Sequence, residues 1–356
     1  MGKKAHTTDK AAAKPGRSEP EKTKRHKPKQ DLLGPHQAKP KAKATEAKPE
    51  ASPPAEARNG RVRGRPALGG LPGPIARVAP LRDMLRLHGG AVDLEAADCR
   101  ATLHAPGGKA ETLADTAAMG ARLAVLQEKL YAQALAGGSR KRVLLVLQGM
   151  DTSGKGGVVK HVIGQFNPSG CQIQAFKAPT EEELAHPFLW RVKQHVPDPG
   201  MIGIFDRSHY EDVLIVRVHD LVPRTTWSRR YAAINQFEQD LYDDDVTVVK
   251  VFLHISYEEQ RKRLLERLDN PDKHWKFNPG DIDERAFWPA YQEAYQAVLQ
   301  KCTTDTAPWY VIPADRKWYR NWAISRLLLE HLEEIDPQYP KANVDVDKER
   351  RRLMET

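Results

Sequence analysis

The sequence has few cysteines and no long apolar run. Three cysteines occur in 356 residues, and their odd number and scattered positions indicate neither a disulfide framework nor a cysteine-based zinc site. No stretch approaches the roughly 18 consecutive apolar residues of a membrane span, and no apolar core of a targeting peptide is visible. We therefore expect a cytoplasmic protein without a membrane segment.

The first 60 residues lack phenylalanine, tryptophan and tyrosine altogether. They hold 15 Lys+Arg against 7 Asp+Glu, so this segment carries +8 of the chain's net charge of +9. Such a segment cannot bury enough apolar surface to offset the entropy of ordering it. We expect residues 1–75 to be a disordered basic tail and linker that is either simply solvated or a contact for polyanions.

Short apolar runs alternate with amphipathic stretches in the rest of the chain, which predicts a three-layer α/β fold. A five-stranded parallel sheet would be flanked by helices within residues 76–340, and a charged tail would follow at 341–356. Strands are predicted at 142–148, 172–176, 201–205, 247–254 and 309–312. Helices are predicted at 111–136, 181–195, 227–243, 257–268, 284–301 and 317–335.

A glycine-rich loop follows the first predicted strand. The spacing of Gly149, Gly154 and Lys155 fits a P-loop, whose backbone N–H groups cradle phosphate. Ser153 and Gly156 belong to the same predicted phosphate site, and the lysine would reach the terminal phosphates. The alternative is a glycine-rich turn that binds nothing. The strand before the loop and the helix after it favour a phosphate site.

Two acidic side chains predict a metal site beside this loop. Position 156 is glycine, where a P-loop normally has a hydroxyl that touches Mg²⁺. Asp151 inside the loop would repel phosphate unless a cation lay between them, so we interpret it as a replacement ligand. Asp206 ends the third predicted strand, where P-loop enzymes place a second metal-binding carboxylate. Arg207 would bind phosphate oxygens, and we expect Mg²⁺, with Mn²⁺ as the alternative.

A basic segment after the fourth predicted strand indicates a helical lid at about 258–285. Arg263 and Arg267 are four positions apart and share one helix face. Lys273 and Lys276 follow a proline-containing turn. Inward-facing cations on a mobile helical hairpin would cover the transferred phosphoryl group. The alternative is a solvated charged helix.

Further basic residues, among them Lys177, Arg191 and Lys193, precede the second carboxylate. Lys177 follows the second predicted strand, and Arg191 lies 14 positions later. A long polyanionic substrate would need such cations along its path. We therefore include Lys177 and Arg191 among the candidate phosphate-binding residues, and the alternative for any single lysine here is simple solvation.

With these motifs in view, the chain resembles the type-2 polyphosphate kinases. The shared segments are GMDTSGKGG (149–157), FKAPTEEELAHPFLWR (176–191), FDRSHYEDVLIVRVH (205–219), RLLERLDNPDKHWKF (263–277) and PADRKWYRNW (313–322). The resemblance implies a thymidylate-kinase-like P-loop fold, polyphosphate and AMP, ADP or ATP as substrates, Mg²⁺, and a dimer or tetramer. The segment with Glu211 resembles the subgroup that phosphorylates AMP as well as ADP, and Glu211 is therefore a candidate nucleotide-site residue.

The expected function is reversible transfer of the terminal phosphoryl group of polyphosphate to AMP or ADP. One rival hypothesis is an ATP-dependent small-molecule kinase on the same fold. Another is a non-enzymatic protein that binds polyanions or nucleic acid through its basic tail. The near-neutral charge of residues 61–356 argues against the second rival.

Overall fold

The computed structural model describes residues 80–88 and 93–356 of the chain. The predicted basic tail and linker at 1–75 lie outside the described residues. Within the described part, no helix is long and apolar enough to cross a membrane.

The described residues form five strands that alternate with helices. The strands are β1 (Arg142–Gln148), β2 (Cys171–Ala175), β3 (Ile202–Asp206), β4 (Val246–His254) and β5 (Trp309–Pro313). The longer helices are α2 (Lys109–Leu135), α7 (Arg224–Asp243), α8 (Tyr257–Asp269), α10 (Trp288–Lys301), α11 (Lys317–Ile335) and α12 (Val346–Met354). The shorter helices are α1 (Leu81–Leu85), α3 (Lys155–His161), α4 (Glu181–Leu184), α5 (Trp190–Lys193), α6 (Ile215–Val218) and α9 (Gly280–Glu284).

The strands form one parallel sheet in the order β2-β3-β1-β4-β5. Strand β1 lies at its centre and pairs with β3 on one side and β4 on the other. A parallel pairing needs a crossover between strands, and the helices provide it. The carboxyl ends of β1, β3 and β4 therefore meet at one edge, which is where open α/β sheets bind ligands. The predicted α/β fold is confirmed.

Each face of the sheet carries its own apolar core. All seven residues of β1 are buried, as expected for a strand covered by helices on both faces. Val143 and Leu145 belong to a core with Leu123 of α2 and Leu328 of α11. Leu144 lies on the other face, in a core with residues of α7 and α10 such as Phe237 and Leu299. This alternation gives the helix–sheet–helix arrangement.

Two predicted segments differ from the structure. Residues 181–195 form two short helices, α4 and α5, rather than one. Pro187 lies between them, and its missing N–H and its ring disfavour a continuous helix. The charged segment 341–356 contains α12, whose residues are mostly exposed. Its Asp345 side chain caps the helix by accepting a hydrogen bond from the Lys348 N–H.

Candidate active site

The glycine-rich loop joins the carboxyl end of β1 to α3. Gly149 has φ +150°, and a Cβ atom there would lie 2.8 Å from the Leu253 carbonyl oxygen of β4. Gly154 has φ +111°, a left-handed conformation that side chains rarely adopt. The tight approach to β4 and the positive φ angles explain why these two loop positions are glycine.

Lys155 folds back over this loop. Its Nζ atom lies 2.8 Å from the Gly149 carbonyl oxygen and 3.5 Å from that of Met150. The ammonium group is therefore held at the mouth of the loop by neutral oxygens. A phosphate oxygen could replace these weaker partners without a large movement of the side chain.

The charges around Lys155 show which residues share its site. Burial lowers the pKa of Lys155 and Arg207 lowers it further, whereas Asp151, Asp206 and Glu211 act in the opposite direction. Three carboxylates and one guanidinium thus lie close enough to influence one ammonium group. The structure thus brings together the residues predicted to bind phosphate, Lys155 and Arg207, and those predicted to bind metal, Asp151 and Asp206. Glu211 lies near the same ammonium group.

Asp206 and Arg207 leave β3 beside the end of β1. Asp206 is in register with Leu147, and the Arg207 N–H donates to the Leu147 carbonyl at 3.1 Å. Arg207 has φ +65°, a strained conformation for a residue with a side chain. Its Nη2 atom lies 3.0 Å from Asp151 Oδ1. Burial alone would lower the pKa of Arg207, but Glu211 and Asp151 outweigh it and raise the pKa.

Glu211 lies on a 3₁₀ helix, His209–Val213, just after Arg207. Burial raises the pKa of Glu211, while Arg207 and Lys155 partly oppose that rise. A phosphate group bound nearby would raise this pKa further, whereas neighbouring cations oppose that rise. The two basic side chains supply those cations.

A buried polar network holds this 3₁₀ helix in place. Lys250 of β4 is fully buried, and its Nζ atom lies 2.5 Å from Glu238 and 2.9 Å from the Tyr210 hydroxyl. Glu238 also accepts from the Tyr210 hydroxyl at 2.7 Å and contacts His209 at 3.2 Å. Burial alone would raise the pKa of Glu238, but Lys250 and His209 outweigh it and lower the pKa. The network thus ties the segment that carries Arg207 to β4 and α7.

The donor chemistry at Asp151 and Asp206 fits a hard divalent cation. Magnesium is usually held by one or two carboxylates together with substrate phosphates. Both carboxylates act on the pKa of Lys155, so both lie near its ammonium group. Among the described residues, no group of three or more His, Cys, Asp or Glu side chains could hold a metal ion. A cation here would therefore depend on phosphate oxygens for the rest of its shell.

The predicted lid consists of α8, a 3₁₀ helix at Pro271–Lys276, and α9. Arg267 pairs with Asp281 at 2.9 Å and donates to the Lys276 carbonyl at the same distance. Lys273 pairs with Glu266. The Lys276 side chain is exposed, with its Nζ 4.8 Å from the Trp275 ring centroid. Three predicted phosphate-binding cations thus lie on this segment.

Arg263 was predicted to bind phosphate from the lid, but it is buried against the glycine-rich loop instead. It is 6% exposed, and its Nε atom pairs with Glu259 at 2.9 Å. The guanidinium donates to four backbone carbonyls, those of Thr152, Ser153, Ala314 and Asp315. Arg263 therefore holds the glycine-rich loop against the end of β5. Its Nε, Nη1 and Nη2 atoms all donate to protein groups, so they are not available to bind phosphate. The sequence could not distinguish these roles, because both place an arginine on the same helix.

Two other predicted phosphate contacts are also turned inward. Ser153 is fully buried, and its N–H donates to the Met150 carbonyl at 3.1 Å. Arg191 is buried and donates to the Lys177 carbonyl at 2.9 Å. Lys177 itself has an exposed side chain. The structure therefore assigns supporting roles to Ser153 and Arg191 and leaves Lys177 accessible. Gly156 is exposed, with open space where a Cβ atom would lie.

Two residues of the site were not predicted from the sequence. Asp281 of α9 lies near Asp151: burial raises the pKa of Asp281, Asp151 raises it further, and Arg267 opposes the rise. Tyr295 of α10 is buried, and burial together with Glu211 raises its pKa well above the ordinary value. A helical face shared by Tyr291 and Tyr295 was the signal available in the sequence.

A parallel sheet in the order β2-β3-β1-β4-β5, with a glycine-rich loop and its lysine after the central strand, defines the class of protein. It is an α/β protein of the kinase type, with a helical segment after β4 in the position of a lid.

Comparison with known proteins gives the family. The family model described as polyphosphate kinase 2 (PPK2) matches residues 108–340. The chain therefore belongs to the polyphosphate kinase 2 family, and the expected enzyme class, a kinase that uses polyphosphate, is confirmed. This assignment contradicts the non-enzymatic alternative.

Individual relatives agree with the family. The chain is 50% identical over 242 residues to the AMP/ADP-polyphosphate phosphotransferase of Meiothermus ruber, covering 68% of this chain and 89% of that protein. It is 43% identical over 232 residues to the ADP-polyphosphate phosphotransferase of Rhodopseudomonas palustris, covering 62% and 78%. The crystal structure of polyphosphate kinase 2 from Arthrobacter aurescens TC1 matches with a TM-score of 0.75 and 50% identity, covering 78% of this chain and 97% of that one.

Proposed function

We propose that the protein transfers the terminal phosphoryl group of polyphosphate to the phosphate of AMP or ADP, and that the reaction is reversible. One observation carries the proposal: Lys155, held over the glycine-rich loop, shares its site with Arg207 and the carboxylates of Asp151 and Asp206. The relatives named for AMP/ADP and ADP support nucleotide acceptors.

The chemistry assigned to these residues is positioning and charge neutralisation. The acceptor phosphate oxygen is already anionic, so the transfer needs no general base. The Lys155 ammonium group would exchange the Gly149 carbonyl for an oxygen of the transferred phosphoryl group. The planar Arg207 guanidinium would hold two oxygens at once, which fixes the line of attack. Stabilisation of the charge that develops in the transition state then lowers the barrier.

Asp151 and Asp206 are the residues that would hold Mg²⁺ or Mn²⁺. When bound, such an ion neutralises charge on the phosphate chain and orients it. Without the ion, both carboxylates would repel the substrate, because each lies within electrostatic reach of Lys155. The Arg207 side chain already neutralises part of the negative charge of Asp151, because Nη2 lies 3.0 Å from Oδ1.

The lid would complete the site. Arg267 is paired with Asp281, and Asp281 in turn lies near Asp151. A polyanion that enters beside Asp151 would compete with Asp281 for Arg267. The exposed Lys276 and Lys177 would meet the outer part of the chain. Covering the phosphoryl group in this way excludes water, which would otherwise hydrolyse the donor.

The test is nucleotide chromatography of timed reactions that contain Mg²⁺, polyphosphate, and AMP or ADP as acceptor. We expect ADP and ATP to form with the wild type, and Lys155→Met to reduce the rate by about 10²–10³-fold, the loss typical of one preorganised electrostatic contact. Lys160→Met is the matched control, because Lys160 is exposed on the same helix.

Two outcomes would contradict the proposal. Equal product formation by wild type and Lys155→Met would show that the loop is not the reaction site. Product formation with ATP as donor to a small-molecule acceptor, and none with polyphosphate, would favour the ATP-dependent kinase instead. Removal of Mg²⁺ with EDTA should abolish turnover. Asp206→Asn should raise the Mg²⁺ concentration needed for half-maximal rate by at least about 10-fold, the loss seen even when a group that only supports a metal ligand is removed. Asp198→Asn, an exposed carboxylate change, is its control.

A further inference from the structure

Arg320, in the first turn of α11, is a buried cation against the glycine-rich loop. Its residue is 2% exposed. The Nη1 atom donates to the Ser153 carbonyl at 3.3 Å, and the Nε and Nη2 atoms donate to Asn321 Oδ1 at 3.1 and 2.9 Å. These partners are neutral. Among the described residues, no carboxylate lies within ion-pair distance of Arg320, so the structure leaves its positive charge uncompensated.

The neighbouring Arg263 shows the contrast. It donates to the same Ser153 carbonyl at 2.9 Å, but its Nε atom also pairs with Glu259 at 2.9 Å. Two guanidinium groups thus converge on one carbonyl oxygen, and one of them has a carboxylate partner. Burial and the nearby Arg263 lower the pKa of Arg320 to about 10, which leaves it charged at neutral pH. Buried charges are normally paired, because removing them from water is costly.

The guanidinium also explains the glycines next to it. A Cβ atom at Gly154 would lie 1.8 Å from Arg320 Nη1, and one at Gly157 would lie 2.7 Å from Nη2. The side chain therefore packs directly on the backbone where the loop enters α3. It touches the loop at a carbonyl oxygen, whereas the N–H groups of such a loop face a bound anion. The guanidinium and a bound phosphate would therefore lie on opposite sides of the loop backbone.

We infer that Arg320 is a positioning residue whose unpaired charge is compensated by the phosphate chain bound across the loop. This inference rests on the proposed function. Electrostatic attraction across one layer of buried backbone is weakly screened, because little water lies between the charges. In the substrate-free protein the buried charge raises the free energy, and a bound phosphate chain offsets that unfavourable contribution.

The inference separates Arg320 from a residue that merely braces the loop. Removing a structural brace lowers stability and affects binding only as a consequence. Removing an uncompensated charge should leave the stability of the substrate-free protein unchanged or higher, because an isolated buried charge is unfavourable and even buried ion pairs can be replaced by apolar groups without loss of stability. The same change should weaken phosphate binding. A variant without the charge should therefore bind phosphate more weakly without being less stable.

The experiment uses the full chain and inorganic tripolyphosphate with Mg²⁺ as the probe. Isothermal titration calorimetry gives the dissociation constant, and urea unfolding without the probe gives stability. For Arg320→Met, we expect the dissociation constant to rise by about 10- to 100-fold and the urea midpoint to stay equal or increase. For Arg320→Lys, which keeps the charge, affinity should fall by less than for Arg320→Met. Arg326→Met is the control, because Arg326 lies on the same helix but pairs with Glu330.

Several outcomes would overturn the inference. One is wild-type affinity in Arg320→Met. Another is an equal loss of affinity in Arg320→Met and Arg320→Lys, which would assign the effect to geometry rather than charge. A lower urea midpoint, or a failure of Arg320→Met to fold, would identify a structural brace. If the wild type itself does not bind tripolyphosphate, the proposed function fails, and the inference fails with it.

Discussion

The Arg207 Nη2 atom lies 3.0 Å from Asp151 Oδ1, although 56 positions separate the two residues. Arg207 makes this contact from a backbone with φ +65°. The strained conformation turns the guanidinium from the end of β3 toward the glycine-rich loop. The ion pair is partly exposed, so it contributes little to stability. Strain at such a position is instead characteristic of a functional site.

Replacing Arg207 should therefore separate stability from activity. Asparagine adopts φ near +60° more easily than arginine, which offsets the loss of a weak ion pair. For Arg207→Asn we expect the free energy of unfolding to change by less than about 1 kcal/mol and the phosphoryl transfer rate to fall by about 10²–10³-fold. Urea unfolding and the nucleotide assay measure the two quantities. A large loss of stability would show that the ion pair is structural.

Two nearby glycines should respond oppositely to alanine. Gly154 has φ +111° and touches Arg320, so Gly154→Ala should lower the free energy of unfolding by about 2–4 kcal/mol. Gly156 lies in α3 with open space around it, so Gly156→Ala should raise the free energy of unfolding by about 0.5–1 kcal/mol. Urea unfolding of both variants tests the prediction. Equal effects would contradict the loop geometry described above.

The buried pair of Lys250 and Glu238 should show strong coupling. Lys250→Met leaves Glu238 charged and buried, which should cost about 3–5 kcal/mol of the free energy of unfolding. The double change Lys250→Met with Glu238→Gln removes both charges, and its cost should be smaller than the sum of the single changes. A double-mutant cycle by urea unfolding measures the difference. Additive costs would mean that the two charges do not interact.

Acid should destabilise the protein through His331. Burial lowers the pKa of His331 to about 4, and its Nε2 atom contacts the Tyr310 hydroxyl at 3.1 Å. Because the unfolded chain binds this proton more readily, stability falls as the pH drops from about 6.5 toward 4. Between pH 7 and 5, the wild type should lose about 2 kcal/mol more than His331→Gln.

Urea unfolding at both pH values measures this loss. His161→Gln is the control, because His161 is exposed, and it should lose as much stability as the wild type. An unchanged pH dependence in His331→Gln would contradict the assignment to His331.

Local sequence signals predicted the sheet and the loop well. The strands at β1 and β4 are nearly continuous apolar runs, which occur where helices cover both faces of a sheet. Helix α11 has the predicted bounds, 317–335. Pro187 is visible in the sequence, but the helical pattern on both sides of it favoured one continuous helix, and that prediction was wrong. The predicted homo-oligomer, cytoplasmic location and metal stay predictions.

The sequence by itself determined the positions of Gly149, Gly154 and Lys155, because backbone torsions and spacing along the chain are local properties. The tertiary structure decided which basic residues face the substrate site. Arg263 and Arg320 are basic residues like Lys276, but packing buries them against the loop and leaves Lys276 exposed. Burial depends on neighbours that are distant in the chain, and the free energy of a charge depends on burial. A composition or a motif cannot supply that information.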